Sequence, residues 1–187
     1  MINIILGLIV VIIIVAFAMK SSSLKKNKEA KTDQLQQNPY YDLRNMAFQA
    51  TPEQLGIEPK PNSVYGIIMD WDLGNGIMTL ISYQTGDASM YLSTGGGVIG
   101  GGQHESVISV VKTYLELGNS LLMSANHVEH SKLPESNTVN FYFLTEGGKL
   151  LRTENMVNFE NGSSELYGLF NEANNVITQL RMISDMK

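Results

Sequence analysis

The chain has 187 residues and no cysteine, which excludes a disulfide framework, a thiolate zinc site and a cysteine nucleophile. Its net charge of −5 is uneven: residues 20–31 carry +4 and residues 32–187 carry −9, so the larger part repels phosphate backbones and nucleic acid is excluded as a partner. An apolar content of 43% supplies a core and rules out wholesale disorder.

Residues 1–19, MINIILGLIVVIIIVAFAM, hold no charge and a single polar amide, Asn3. As a helix they span roughly 28 Å, about the thickness of a bilayer's hydrocarbon layer. Lysines follow this run and none precede it, which places the amino end outside and the remainder in the cytoplasm. The sequence thus predicts a single-pass transmembrane anchor in the cell membrane, with the lipid bilayer as a partner. The alternative is export after signal cleavage near Ala18, since Ala16-Phe17-Ala18 has small-x-small spacing, but no basic segment precedes the run. Residues 20–38 are basic and polar and read as a flexible tether with a reach of roughly 25 Å.

Asn38-Pro39 opens a short helix running to about Gln49, with proline at the first helical position. Thr51-Pro52-Glu53-Gln54 has the spacing of a capping box for one further turn, which Gly56 ends. Pro59 and Pro61 then extend the backbone, so residues 39–63 form short helices and a lead-in. Val64–Asp72 alternates Ile67, Met69 and Trp71 against Ile68, Asp70 and Asp72, a strand. Asn75-Gly76 suits a primed two-residue turn into a return strand, Ile77–Tyr83, and Ser89–Ser93 makes a third. A helix over about 104–123 carries Val107, Val111, Tyr114, Gly118 and Leu121 on one stripe, widened by Ile108, Leu115 and Leu122. Asn126–Ser136 reads as a polar loop. Thr138–Thr145 alternates Val139, Phe141 and Phe143 against Asn140, Tyr142 and Leu144, and Gly147-Gly148 turns into a strand ending near Thr153. Ser163 or Ser164 caps a last helix striped by Leu166, Leu169, Phe170, Ala173, Val176, Ile177 and Leu180.

The order α–βββ–α–ββ–α over residues 64–187 and the helices before it predicts an α+β domain. Its five-stranded, mainly antiparallel sheet is covered by two long amphipathic helices. This element order resembles the roadblock/longin and profilin-like group of sensor and adaptor domains. The run TGDASMYLSTGGGVIGGGQHE, Thr85–Glu105, with NNVITQLR, Asn174–Arg181, is similar to a motif of uncharacterised bacterial membrane-anchored proteins. That likeness extends over most of residues 50–183 and implies no activity.

Between the third strand and the main helix lie Gly95, Gly96, Gly97, Val98, Ile99, Gly100, Gly101 and Gly102, followed by His104. A glycine loop feeding a helix N-terminus suits an anion. Yet the loop holds no lysine or arginine, fits neither the Gly-x4-Gly-Lys-Ser/Thr nor the Gly-x-Gly-x-x-Gly pattern, and places Glu105 where phosphate would go. The Val98-Ile99 pair at its tip either packs inward or meets a partner. Asp70-Trp71-Asp72-Leu73-Gly74 fails as a calcium loop, because Gly74 stands at its fifth position and Ile81 at its twelfth. Asp70 or Asp72 as a magnesium ligand lacks a second acid. His127, His130 and His104 do not make a zinc set on rigid elements. Ser89 lacks a nucleophile elbow and reads as sheet decoration. No catalytic residue, metal or cofactor is assigned. The sequence predicts a non-enzymatic domain for protein–protein interaction or self-association, with the glycine loop and His104 as the binding candidate. A small-molecule or anion sensor at the same loop is the alternative.

Overall fold

The computed structural model describes residues 38–58 and 60–185. From Pro39 onward the chain makes one compact unit. Helix α1 (Pro39–Gln49) is followed by the Thr51–Gly56 turn, where the capping box forms: the Thr51 N–H donates to Gln54 Oε1 at 3.1 Å and the Gln54 N–H to Thr51 Oγ1 at 3.4 Å. Strands β1 (Val64–Asp72), β2 (Ile77–Tyr83), β3 (Ala88–Leu92) and β4 (Gly97–Val98) follow as a meander. A 3-10 turn, Gly101–Gln103, leads into α2 (Glu105–Ser120). After it come β5 (Asn126–Val128), β6 (Thr138–Thr145), β7 (Gly148–Asn155), the short α3 (Met156–Glu160) and α4 (Tyr167–Asp185).

The fold is α+β, and among the described residues the sheet has seven strands in the order β4-β3-β2-β1-β6-β7-β5, every neighbouring pair antiparallel. This corrects the expected five. The two additional strands are the edges, only two and three residues long, and neither carries the alternation that marks a longer strand. One hides inside the glycine loop and the other inside the loop expected over Asn126–Ser136.

A membrane-spanning helix is the second correction. Among the described residues no helix is long and apolar enough to cross a membrane. Residues 1–19, on which the anchor was expected, lie outside the described residues, as do the cleavage site near Ala18 and the tether up to residue 37. The single-pass membrane location and its cytoplasmic topology are withdrawn.

The alternation of β1 divides two cores. Ile67 and Met69, with Leu80, Phe141 and Phe143, face α2 and α4, whose buried stripes include Val111, Tyr114, Ala173, Val176 and Leu180. Gly118 lets α2 lie close to the sheet: a Cβ there would run into Ile67 Cδ1 and stand 3.4 Å from Phe143 Cε1. Ile68, Tyr65, Ile81, Tyr142 and Leu144 face the other way and meet Ala47 and Phe48 of α1. The Phe48 ring stands edge-on to Tyr142 at 5.0 Å. Two tyrosine hydroxyls pin the end of α1, Tyr83 to the Ala47 carbonyl at 2.8 Å and Tyr65 to the Ala50 carbonyl at 3.2 Å. The β1–β2 turn also departs from the primed form. Positive φ falls on Gly74, at 81°, and on neither Asn75 nor Gly76, while Gly74 N–H closes an Asx turn on Asp72 Oδ1 at 3.3 Å.

Candidate functional site

The glycine loop is built from β3 outward. After Leu92 the chain reverses through Ser93–Gly96, where the Gly95 N–H donates to the Leu92 carbonyl at 2.9 Å and the Leu92 N–H to the Gly96 carbonyl at 3.1 Å. Gly95 and Gly96 have φ of 105° and 84°, the left-handed region open to glycine. Gly97 and Val98 then pair with Tyr91 and Met90 as β4, and a Cβ on Gly97 would strike the Met90 carbonyl oxygen. The second triplet does different work. The Gly100 N–H reaches Ser89 Oγ at 3.4 Å, so the Ser89 hydroxyl ties the loop to β3. Gly101 is buried, and a Cβ on it would stand 2.7 Å from Leu180 Cδ2 and 2.9 Å from Val107 Cγ1. The Gly102 N–H donates to Asp87 Oδ1 at 2.9 Å.

That last bond decides the electrostatics. The N–H group offered at the approach to α2 is occupied by the chain's own carboxylate, and Glu105 lies in the first turn of the helix. A hollow of about 280 Å³ beside it is lined by Thr85, Asp87, Gly100, Gly102 and Gln103, with no cation among them. His104 precedes α2 with extended backbone and no side-chain cap, and its carbonyl accepts from Val107 and Ile108. An incoming anion meets the Asp87 carboxylate and, among the described residues that line the hollow, no lysine or arginine.

Val98 and Ile99 part company. Val98 is half-buried against the α2/α4 core, whereas Ile99 is 62% exposed. The loop therefore has an anchored strand, a fastened second half and an apolar residue held out between them. On the other side of the Thr85-Gly86 turn, a second hollow of about 280 Å³ has an apolar floor of Val64, Ile108, Val111 and Leu115, with Lys112 at its rim.

The remaining candidates are not brought together. His127 lies on β5 at the far edge of the sheet and His130 just beyond it, away from His104. Among the described residues no group of three or more His, Asp or Glu gathers as a metal site. Asp72 accepts from the Asn137 N–H at 2.8 Å and from Gly74, and so clamps two turns.

Asp70 has a role that only tertiary structure reveals. It is fully buried against Arg44 of α1, whose Nη2 donates at 2.6 Å and Nε at 3.1 Å. Thr79 Oγ1 donates to Asp70 Oδ1 at 2.5 Å, and Tyr40 OH lies 2.8 Å from Thr79 Oγ1. Arg44 Nη2 also donates to the carbonyls of Ser131 and Lys132, so one guanidinium joins α1, β1 and the loop before β6. Burial pushes the Asp70 carboxyl above its ordinary value, against the pull of Arg44 and Thr79. Burial would lower Arg44, but its bonds to Asp70 outweigh that and hold the guanidinium charged. Tyr40 is pushed up to about 12, chiefly by burial. With every acceptor of Asp70 turned to the protein, this network fastens a helix to a sheet. The sequence signal is Asp70 set between Met69 and Trp71, on a strand whose other acid, Asp72, stands at its very end. No family model, no curated protein and no solved structure matches this chain.

Proposed function

We propose that this α+β domain works by binding rather than catalysis, and that its partner, another protein or a second copy of the chain, docks at the β4 edge beside Ile99. One observation carries the reading: among the described residues β4 is an edge strand with no strand beyond it. A sheet margin presents unpaired N–H and C=O groups, and folds ordinarily protect it with charge, proline or a covering element. The segment Gly95–Gly102 contains no charged residue and no proline, and it leaves Ile99 exposed. The opposite edge differs, since β5 runs directly into Glu129 and His130. An added strand would gain main-chain hydrogen bonds along β4 and bury the Ile99 side chain.

The test is sedimentation of the full chain over a concentration series, in parallel with affinity capture, for the wild type and Ile99→Lys. Association or capture that the substitution weakens roughly tenfold supports the reading. A chain that stays monomeric and retains the same proteins with either residue at position 99 refutes it. The sensor alternative has less behind it, because Asp87 already holds the Gly102 N–H. Thermal-shift measurements with phosphate and nucleotides separate the two, since a ligand at about a hundred times its Kd adds about 2.7 kcal/mol.

A further inference from the structure

The chain contains two Asn-Gly dipeptides, Asn75-Gly76 at the tip of the β1–β2 hairpin and Asn161-Gly162 after α3. Glycine leaves the following backbone nitrogen unhindered, so this dipeptide is chemically the most exposed to attack on its own side chain. We infer that Asn75 is a site of spontaneous deamidation and backbone isomerisation, and that the fold protects Asn161 from the same reaction.

The step needs a side-chain amide free to swing toward the next residue and a glycine N–H that is not already donating. At the hairpin tip both conditions hold. Asn75 is exposed and, among the described residues, its side chain makes no hydrogen bond and the Gly76 N–H donates none. The Gly76 carbonyl takes the Leu73 N–H at 2.8 Å, while among the described residues its own N–H has no acceptor. At the other dipeptide both groups are engaged. Asn161 Oδ1 accepts from the Ser163 N–H at 2.9 Å, and the Gly162 N–H donates to the Phe159 carbonyl at 3.2 Å. The Asn161 backbone is held in the right-handed helical region, at φ −92° and ψ 0°, where it ends α3.

The chemistry balances without an oxidant or reductant. The Gly76 nitrogen gives its proton to solvent and bonds to Asn75 Cγ, Nδ2 takes a proton back from solvent as the Cγ–Nδ2 bond breaks, and ammonia departs to leave a five-membered imide. Water then opens the imide at one carbonyl or the other. One opening leaves an aspartyl residue in the original backbone; the other leaves an isoaspartyl residue, with an extra carbon in the main chain and a free α-carboxylate. Either product adds negative charge next to Asp72, whose two oxygens hold Gly74 and Asn137. The isoaspartyl form also lengthens the connection just before Ile77, whose N–H is fixed to Ser93 Oγ at 2.8 Å. The reaction class that consumes it is methylation of the isoaspartyl carboxylate from an S-adenosyl donor.

The experiment incubates the full chain in mildly alkaline buffer at body temperature, folded and in guanidinium chloride. It follows both peptides by mass spectrometry with radical-driven fragmentation, which separates isoaspartate from aspartate. An isoaspartyl methyltransferase with labelled donor gives an independent count. In the folded chain position 75 converts while position 161 lags by more than about tenfold, since two hydrogen bonds must break to free it. In denaturant the two rates converge, and Asn75→Gln removes most of the methyl-acceptor signal from the folded chain. Equal rates in the folded chain, or the same ratio with and without denaturant, overturn the inference.

Discussion

The Asp87 carboxylate receives the Gly102 amide at 2.9 Å, across the gap between the β2–β3 turn and the start of α2. A loop that in outline resembles a phosphate cradle is thereby closed from within: Gly97, Gly101 and Gly102 permit close approach, and Gly95, Gly96 and Gly100 supply positive φ. Asp87→Ala frees the Gly102 N–H and unfastens the second half of the loop. The expected loss is about 1 kcal/mol, the worth of one hydrogen bond at an exposed site, and Asp87→Asn recovers most of it. Urea unfolding measures the first quantity, and faster amide exchange at Gly102 localises it. Unchanged exchange there would show that the bond does not hold the loop.

Arg44 and Asp70 give a larger effect with a diagnostic pattern. Arg44→Met leaves a fully buried carboxylate without its cation and is expected to cost about 3–5 kcal/mol. Removing both charges with Arg44→Met and Asp70→Leu is expected to return more than half of that loss, because no charge is then left unpaired. Denaturant titration of the two single variants and the double variant completes the cycle. Additive losses would contradict a coupled pair.

Much of this architecture is readable from residue order, and the part that is not has a physical cause. The long strands announce themselves because one face alternates with the other: Ile67 and Met69 against Ile68 and Asp70 is the division that the two cores use. The stripes of α2 and α4 are legible for the same reason. Edge strands of two and three residues are too short for a period to register, so β4 and β5 pass for loop. The Arg44–Asp70 pair joins residues 26 positions apart, and no local pattern links a helix arginine to one strand acid. The meaning of the glycines is tertiary too. Gly101 is demanded by Leu180 and Val107, which arrive from elsewhere in the chain.

Acid sensitivity is expected from Glu154. Its Oε1 accepts from the Asn155 N–H at 2.8 Å and Asn158 Nδ2 at 2.7 Å, and its Oε2 from Ser164 Oγ at 2.9 Å. Burial acting alone would raise this carboxyl, but the three bonds and the nearby Arg152 outweigh it and hold it below the ordinary value. A depressed carboxyl adds stability above its unfolded value of about 4.3, and that contribution disappears as pH falls through the lower folded value. Solvent access keeps it under about 1 kcal/mol. Wild type is therefore more stable than Glu154→Gln at neutral pH, and the two unfolding curves converge in acid. A gap that stays constant with pH would mean that the charge of Glu154 is not what stabilises this turn.

Tyr114 yields the opposite sign from most substitutions. Its ring is fully buried between α2 and the sheet, and among the described residues its hydroxyl has no hydrogen-bond partner. Burial alone pushes that hydroxyl well above its ordinary pKa, consistent with an oxygen cut off from water and from any donor. A buried polar group without a partner forfeits its hydration and receives nothing in return. Tyr114→Phe keeps the ring and removes the orphaned oxygen, so stability is expected to rise by about 1 kcal/mol, or about 2–4 °C in Tm. Tyr40→Phe provides the contrast, because that tyrosine is also in the core and its hydroxyl lies 2.8 Å from Thr79 Oγ1 within the Asp70 network, so its removal is expected to destabilise. Calorimetry on the two variants compares the same atom deleted from two buried sites. If both lose stability, a partner for the Tyr114 hydroxyl must exist in solution.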